Sequence, residues 1–323
     1  MVTDTVIDCG GIGKRYRRSW ALRDCHLAVP AGHVVALVGP NGAGKTTLLG
    51  LAAGLTLPSE GVMTVLGDQL PGSPEALDRI GFVAQNAALY PGLPVRDLLA
   101  IGGHLNRRWD AARARTHLDG LGIPLDRKYG RLSGGQQAQV SLALALAKRP
   151  ELLLLDEPLA ALDPLARHDF MAVLLTAVAE DGLSVVFSSH AVNELEQSCD
   201  YLVVLAGGRV QVSGEVDDLL GGHRMLTGPT AEADAVAERL PVVRDRRAGT
   251  QSHLLVRTGG VDAPVSGGWR QQRVGLEELV LAYLREPTAS ALPGPRGAVR
   301  PNGTTATTGM TATTATTEKA MLP

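Results

Sequence analysis

Gly39-Pro40-Asn41-Gly42-Ala43-Gly44-Lys45-Thr46-Thr47 decides how this chain folds. The stretch fits G-x-x-x-x-G-K-[ST], in which a glycine-rich loop leaves a strand and opens a helix. His33-Val-Val-Ala-Leu-Val38, just before it, is an apolar, β-branched run of buried-strand length, and Thr47-Leu-Leu-Gly-Leu-Ala-Ala53 continues as helix. Glycines at 39, 42 and 44 let backbone N–H groups turn toward an anion, and the helix N-terminus adds partial positive charge. In such a cradle Lys45 reaches β- and γ-phosphates and the Thr46 hydroxyl ligates Mg²⁺.

Two further segments lie downstream. Leu152-Leu-Leu-Leu-Leu-Asp156-Glu157 reads as a strand buried on both faces, with two carboxylates at its tip. Ligands bind at such carboxyl ends in open α/β sheets. Asp156 is placed to hold Mg²⁺ and Glu157 to orient and deprotonate water; a turn capping the next helix is the plainer reading of Asp-Glu-Pro alone. Leu132-Ser133-Gly134-Gly135-Gln136 precedes the apolar helix Val140–Ala147 and offers hydroxyl and backbone donors at a second helix start.

These three motifs, in this order, resemble the nucleotide-binding subunits of ABC (ATP-binding cassette) transporters over about the first two-thirds of the chain, most of all export-type cassettes with a separate permease. The resemblance implies a P-loop NTPase, RecA-like α/β core. Its mostly parallel sheet carries an antiparallel β edge subdomain, an inserted α-helical subdomain and a small C-terminal α+β appendage. It also implies roles for four more residues. Tyr16 matches the aromatic on which adenine stacks, with Trp20 as a nearby competitor. Gln85 matches the glutamine that touches metal and water. Asp163 matches a carboxylate that communicates across a dimer, and His190 matches the histidine at the γ-phosphate. Locally, Asp163 before Pro164 also reads as an ordinary helix N-cap.

The implied cofactors are ATP and Mg²⁺. The implied partners are a permease on a separate chain and a second cassette, whose Ser133, Gly134, Gly135 and Gln136 complete the site on this one. ATP hydrolysis then drives an exporter from the cytoplasmic face of the membrane. The alternatives are an importer's ATPase and, less well supported, a soluble ATPase acting on nucleic acid or ribosomes. Soluble ATPases of this type carry long coiled coils or paired cassettes, and neither is evident here. Two positions depart from the family pattern: Gln139 stands where arginine is common, so a helix-surface contact is expected to be missing, and Ala160 replaces a frequent serine.

Composition agrees with an enzyme working beside a membrane. With 323 residues, 45% hydrophobic, and a net charge of −2, the chain can bury a full core and is not a general nucleic-acid binder. The longest apolar runs fall far short of the ~20 residues that span a bilayer, and no signal-peptide pattern opens the sequence. Cys9, Cys25 and Cys199 lack metal spacing and read as reduced thiols. The expected organisation is a cassette over 1–215, with its helical subdomain near 86–148, an accessory unit over 216–286 and a disordered Thr/Ala-rich tail over 287–323. Gln85 and the segment 86–91 are the candidate coupling region toward the permease.

Overall fold

Strand β3 (Val34–Val38) shows why the chain folds as it does. It lies between two parallel neighbours, β7 (Ser184–Ser189) and β8 (Tyr201–Ala206), and all five of its residues are buried. Successive side chains alternate between faces. Val35 and Leu37 join one apolar cluster, while Val34, Ala36 and Val38 join another on the opposite side. The four leucines of β6 (Leu152–Leu155) divide in the same way between β7 and β5 (Ile80–Val83). A parallel strand covered on both faces has no polar position to spare, which explains the unbroken apolar run.

The computed structural model describes residues 5–85, 89–160, 162–192, 198–261, 263 and 267–286. The central sheet runs β5-β6-β7-β3-β8-β9, with β9 (Arg209–Glu215) antiparallel at one edge. A second, antiparallel sheet comprises β2 (Ser19–Pro30), β1 (Thr5–Tyr16) and β4 (Glu60–Val65) in that order. Between the two sheets lies α1 (Lys45–Ala52), whose Leu48, Leu49 and Leu51 are buried with Val35, Leu37 and Leu154. A short helix, α2 (Pro74–Arg79), starts at Ser73 and leads into β5.

Helices α3 (Val95–Leu105), α4 (Ala111–Gly120) and α5 (Gly134–Ala147) surround their own apolar cluster. Helix α5 serves two layers. Its Val140, Ala143 and Ala147 face that cluster, and its Leu142 and Leu146 face the central sheet. Asp163 caps α6 (Pro164–Asp181) by accepting the Ala166 N–H at 2.9 Å, and Gly182, at φ 64°, closes the other end in the left-handed conformation.

Past β9 come α7 (Val216–Gly221), β10 (His223–Pro229), α8 (Ala233–Ala237), β11 (Val242–Ala248), β12 (Gln251–Arg257), β13 (Arg270–Gln272) and α9 (Leu276–Arg285). The strands form an antiparallel sheet in the order β11-β12-β10-β13. Leu226, Leu254 and Val256 on one face pack with Trp269. On the other face, Leu255 and Met225 meet Leu279, Val280 and Tyr283 of α9, which join the main cluster of the central sheet. The expected tail over 287–323, and Asn86, Ala87 and Ala88 of the expected coupling segment, lie outside the described residues. No described helix is long and apolar enough to cross a membrane.

Candidate functional site

Three parallel strands end side by side at the site. The loop after β3 runs into Lys45, the first residue of α1, the end of β6 leads into Asp156 and Glu157, and the end of β7 carries Ser188 and leads into His190. Backbone crowding fixes two of the glycines. A Cβ on Gly39 would lie 2.2 Å from the Leu205 carbonyl oxygen at the end of β8, and one on Gly44 would lie 2.6 Å from the Ala21 carbonyl oxygen of β2. Gly44 also sits at φ 107°, so only glycine fits there without strain. The sequence had suggested amide exposure as the reason for these glycines, and close approach between chain segments is a second one. Pro40, Asn41, Gly42 and Thr46 are exposed around the loop, Ala43 is buried, and Thr47 is half-buried.

Lys45 is buried, and its ammonium curls back over the loop to donate to the Gly39 carbonyl at 2.7 Å. Its Nζ also stands 3.0 Å from Oε1 of Glu157, itself buried. The other carboxylate oxygen of Glu157, Oε2, lies 2.7 Å from Nδ1 of the half-exposed His190. Glu157 adopts φ 49°, a conformation that costs a non-glycine residue about 1–3 kcal/mol and persists only where surrounding contacts fix it. Those contacts are present: its N–H donates to Ser188 Oγ at 2.8 Å, and its carboxylate spans Lys45 and His190.

Asp156 is held just as firmly. Its N–H donates to the Val83 carbonyl at 2.9 Å, and its Oδ1 accepts the Ser188 hydroxyl at 2.8 Å. Ser188 therefore ties the two carboxylate residues together, and sequence reasoning gave it no role. The available signal was a hydroxyl inside a buried strand one step from β6, a place where a polar group needs partners. For a hard cation the fit is good: Asp156 Oδ2 and the Thr46 hydroxyl make no hydrogen bond among the described residues, and both are oxygen donors of the kind Mg²⁺ takes.

The remaining sequence candidates make no hydrogen bond to this cluster among the described residues. Tyr16 is half-exposed at the end of β1 with the Lys14 ammonium 5.2 Å from its ring centre, whereas Trp20 stacks with Arg15. Gln85 is exposed just past β5. Ser133 caps α5 in a reciprocal pair with Gln136: each side chain accepts the other's backbone N–H, at 3.3 and 3.2 Å. Gly134 is exposed, and a Cβ on Gly135 would touch Ala166 of α6 at 3.0 Å. Among the described residues, no hydrogen bond joins Ser133, Gly134, Gly135, Gln136 or Asp163 to Lys45 or Glu157.

The expected loss of a helix contact at Gln139 is corrected. Gln139 is buried, and its Oε1 meets Nε2 of His117 on α4 at 3.1 Å, so a neutral amide-imidazole pair joins the two helices. Burial lowers the His117 pKa, which keeps the pair neutral.

The ABC transporter family model matches residues 22–160, which hold the loop, the Ser133–Gln136 segment, Asp156 and Glu157. An uncharacterized ABC transporter ATP-binding protein of Nostoc is 34% identical over 68% of this chain and 70% of its own length. The chain belongs to the ATP-binding proteins of ABC transporters. The spermidine/putrescine import ATP-binding protein of Methylococcus capsulatus is 37% identical over 68% of this chain, and the match spans 58% of that relative. Proteins named for sulfate/thiosulfate import in Synechocystis and molybdenum import in Aromatoleum aromaticum are 36% and 40% identical. Their matches cover 64% and 61% of this chain, and 60% and 55% of those relatives. Among solved structures, a dimeric post-hydrolysis ATP-binding cassette bound to ADP and phosphate superposes with a TM-score of 0.59 at 27% identity. It covers 65% of this chain and 98% of that one.

Proposed function

We propose that this chain hydrolyses ATP with Mg²⁺ as one of two cassettes that drive a separate permease from the cytoplasmic face of the membrane. The observation that carries the reading is the buried Lys45–Glu157–His190 chain at the joined ends of β3, β6 and β7. A triphosphate entering the loop competes with Glu157 for the Lys45 ammonium. Once released, the carboxylate takes a proton from water as the water oxygen bonds to the γ-phosphorus. The bond to the bridging oxygen breaks, and its electron pair leaves with ADP. His190, already on Oε2, orients the carboxylate, and Ser188 keeps Asp156 and Glu157 in register. Mg²⁺ held by Thr46 and Asp156 would offset phosphate charge. A positioned base of this kind supplies roughly 10²–10⁴-fold in rate.

The two-cassette reading is supported by the Ser133 segment making no hydrogen bond to its own Lys45 or Glu157 among the described residues. In this reading Ser133, Gly134 and Gly135 serve the nucleotide of a second cassette, as the dimeric architecture of the matched post-hydrolysis structure suggests. Asp163 would act at that junction, Gln85 would touch the metal and the attacking water, and Tyr16 would stack on adenine. An apolar cavity of about 420 Å³ lined by Leu55, Leu77, Phe82, Leu89 and Leu144 lies next to Gln85 and supports docking of a permease there. Leu55 and Tyr90, exposed by 67% and 69%, extend the apolar surface.

Import is the proposed direction. The three relatives described above whose names state a direction are named for import, which favours it over the export-type expectation, although a bacterial ABC exporter is among the matched structures. Size-exclusion chromatography of Glu157→Gln with ATP and Mg²⁺ tests the two-cassette reading. Elution at twice the monomer mass is expected, and a monomer at saturating ATP would contradict it.

A further inference from the structure

The C-terminal sheet carries charge that the nucleotide site does not use. In an antiparallel pair, residues directly opposite each other share a face. Arg246 pairs with His253, His253 with Thr227, and Thr227 with Arg270, so one row crosses all four strands on the side that faces α9. The next row inward begins with Arg244 opposite Leu255. Between them lies a cavity of about 120 Å³, with Met225 and Leu255 at its floor and Arg244, Arg246, His253 and Glu278 around it.

We propose that this cavity binds a small tetrahedral oxyanion, either free phosphate or the phosphate group of a soluble metabolite. Two guanidiniums and an imidazole converge there against a single carboxylate, Glu278. Planar guanidinium forks match phosphate oxygens in pairs. A comparison within the same strand shows that this is more than the charge that keeps an edge strand soluble. Arg247 points to the opposite face and is tied up by Asp245 at 2.7 Å and Asp234 at 2.5 Å. Arg244, Arg246 and Arg270 have no ion pair among the described residues. A hydrogen bond also orients His253. Its Nδ1 meets the Thr227 hydroxyl at 3.1 Å, which leaves Nε2 without a hydrogen bond among the described residues. The cavity is small, about 120 Å³, on the scale of an inorganic oxyanion.

The test uses the full chain carrying Lys45→Ala, so that the glycine-rich loop does not dominate, titrated calorimetrically with inorganic phosphate. Phosphate binding is expected to persist in that background and to weaken about tenfold or more when Arg244→Gln and Arg246→Gln are added. Arg247→Gln, added instead, should leave it unchanged. Equal phosphate affinity with and without the two arginines, or no binding to Lys45→Ala, would overturn the proposal. In the unaltered chain, the His253 ring signals followed by NMR should move with added phosphate, and static signals would count against the site. Vesicles of phosphatidylcholine with or without phosphatidylglycerol test a lipid headgroup as the source of the anion instead. Arginine-dependent capture by the anionic vesicles with no response to phosphate would replace the soluble ligand with a lipid headgroup and defeat the proposal as stated.

Discussion

The nucleotide site and the contact between α9 and the C-terminal sheet both bury polar side chains, but in opposite ways. At the first, Lys45 and Glu157 meet as charges, and Glu157 holds a left-handed backbone. At the second, the groups form a closed relay. His223 Nδ1 lies 2.6 Å from the Leu219 carbonyl and therefore carries the proton; its Nε2 accepts the Tyr283 hydroxyl at 2.8 Å, and the Tyr283 oxygen accepts from Arg257 at 2.5 Å. The Nδ1–H of His223, the Tyr283 hydroxyl and the Arg257 Nε–H each have an acceptor, and none of these residues has a positive φ. Burial at the sheet ends keeps charged groups poised for exchange, whereas burial under α9 locks a helix in place. A buried polar group signals reactivity when its partner can be replaced by a ligand, and rigidity when each of its bonds is already internal.

Substitutions should separate the two regions. Lys45→Ala removes charged hydrogen bonds of about 2–3 kcal/mol each, so ATP affinity should fall about 100-fold by calorimetry. Retention of full ATP affinity would place the phosphate elsewhere. Tyr283→Phe should do the reverse. It leaves His223 and Arg257 without their shared hydroxyl, lowering unfolding free energy by about 1–3 kcal/mol in urea while ATP affinity holds. A larger effect on ATP than on stability would erase the contrast.

Proton linkage sharpens it further. Burial pushes the His223 pKa down to about 4 from its ordinary value of 6.5. Above pH 6.5 the ring is neutral in both states and costs nothing. As pH falls from 6.5 toward 4 the unfolded chain binds the proton first, so stability should drop by about 1.4 kcal/mol per pH unit across that window. Urea midpoints of wild type and His223→Asn should converge over this interval, and parallel curves would remove His223 as the source. The smallest effect belongs to the α4–α5 contact. Gln139→Ala should cost about 1 kcal/mol by thermal unfolding, and a neutral result would show that the His117 bond adds nothing net.

Much of the core was legible because burial on both faces permits few residue types. Leu152–Leu155 and Val34–Val38 read as buried strands, and the glycine-rich loop between a strand and a helix marked Lys45. Legibility failed where contacts join residues distant in sequence. Ser188 is 32 residues from Asp156, and nothing local marks its double hydrogen bond. Gln139 looked like a lost arginine because its partner, His117, lies on another helix. The row from Arg246 to Arg270 emerges only after four strands are registered.

The most direct measurement is steady-state phosphate release from ATP and Mg²⁺ by the purified chain and by Glu157→Gln. The swap preserves size and removes the carboxylate that bridges Lys45 and His190. A fall in kcat of about 10²–10⁴-fold is expected, with KM within a few fold. Turnover equal to the wild type would contradict it.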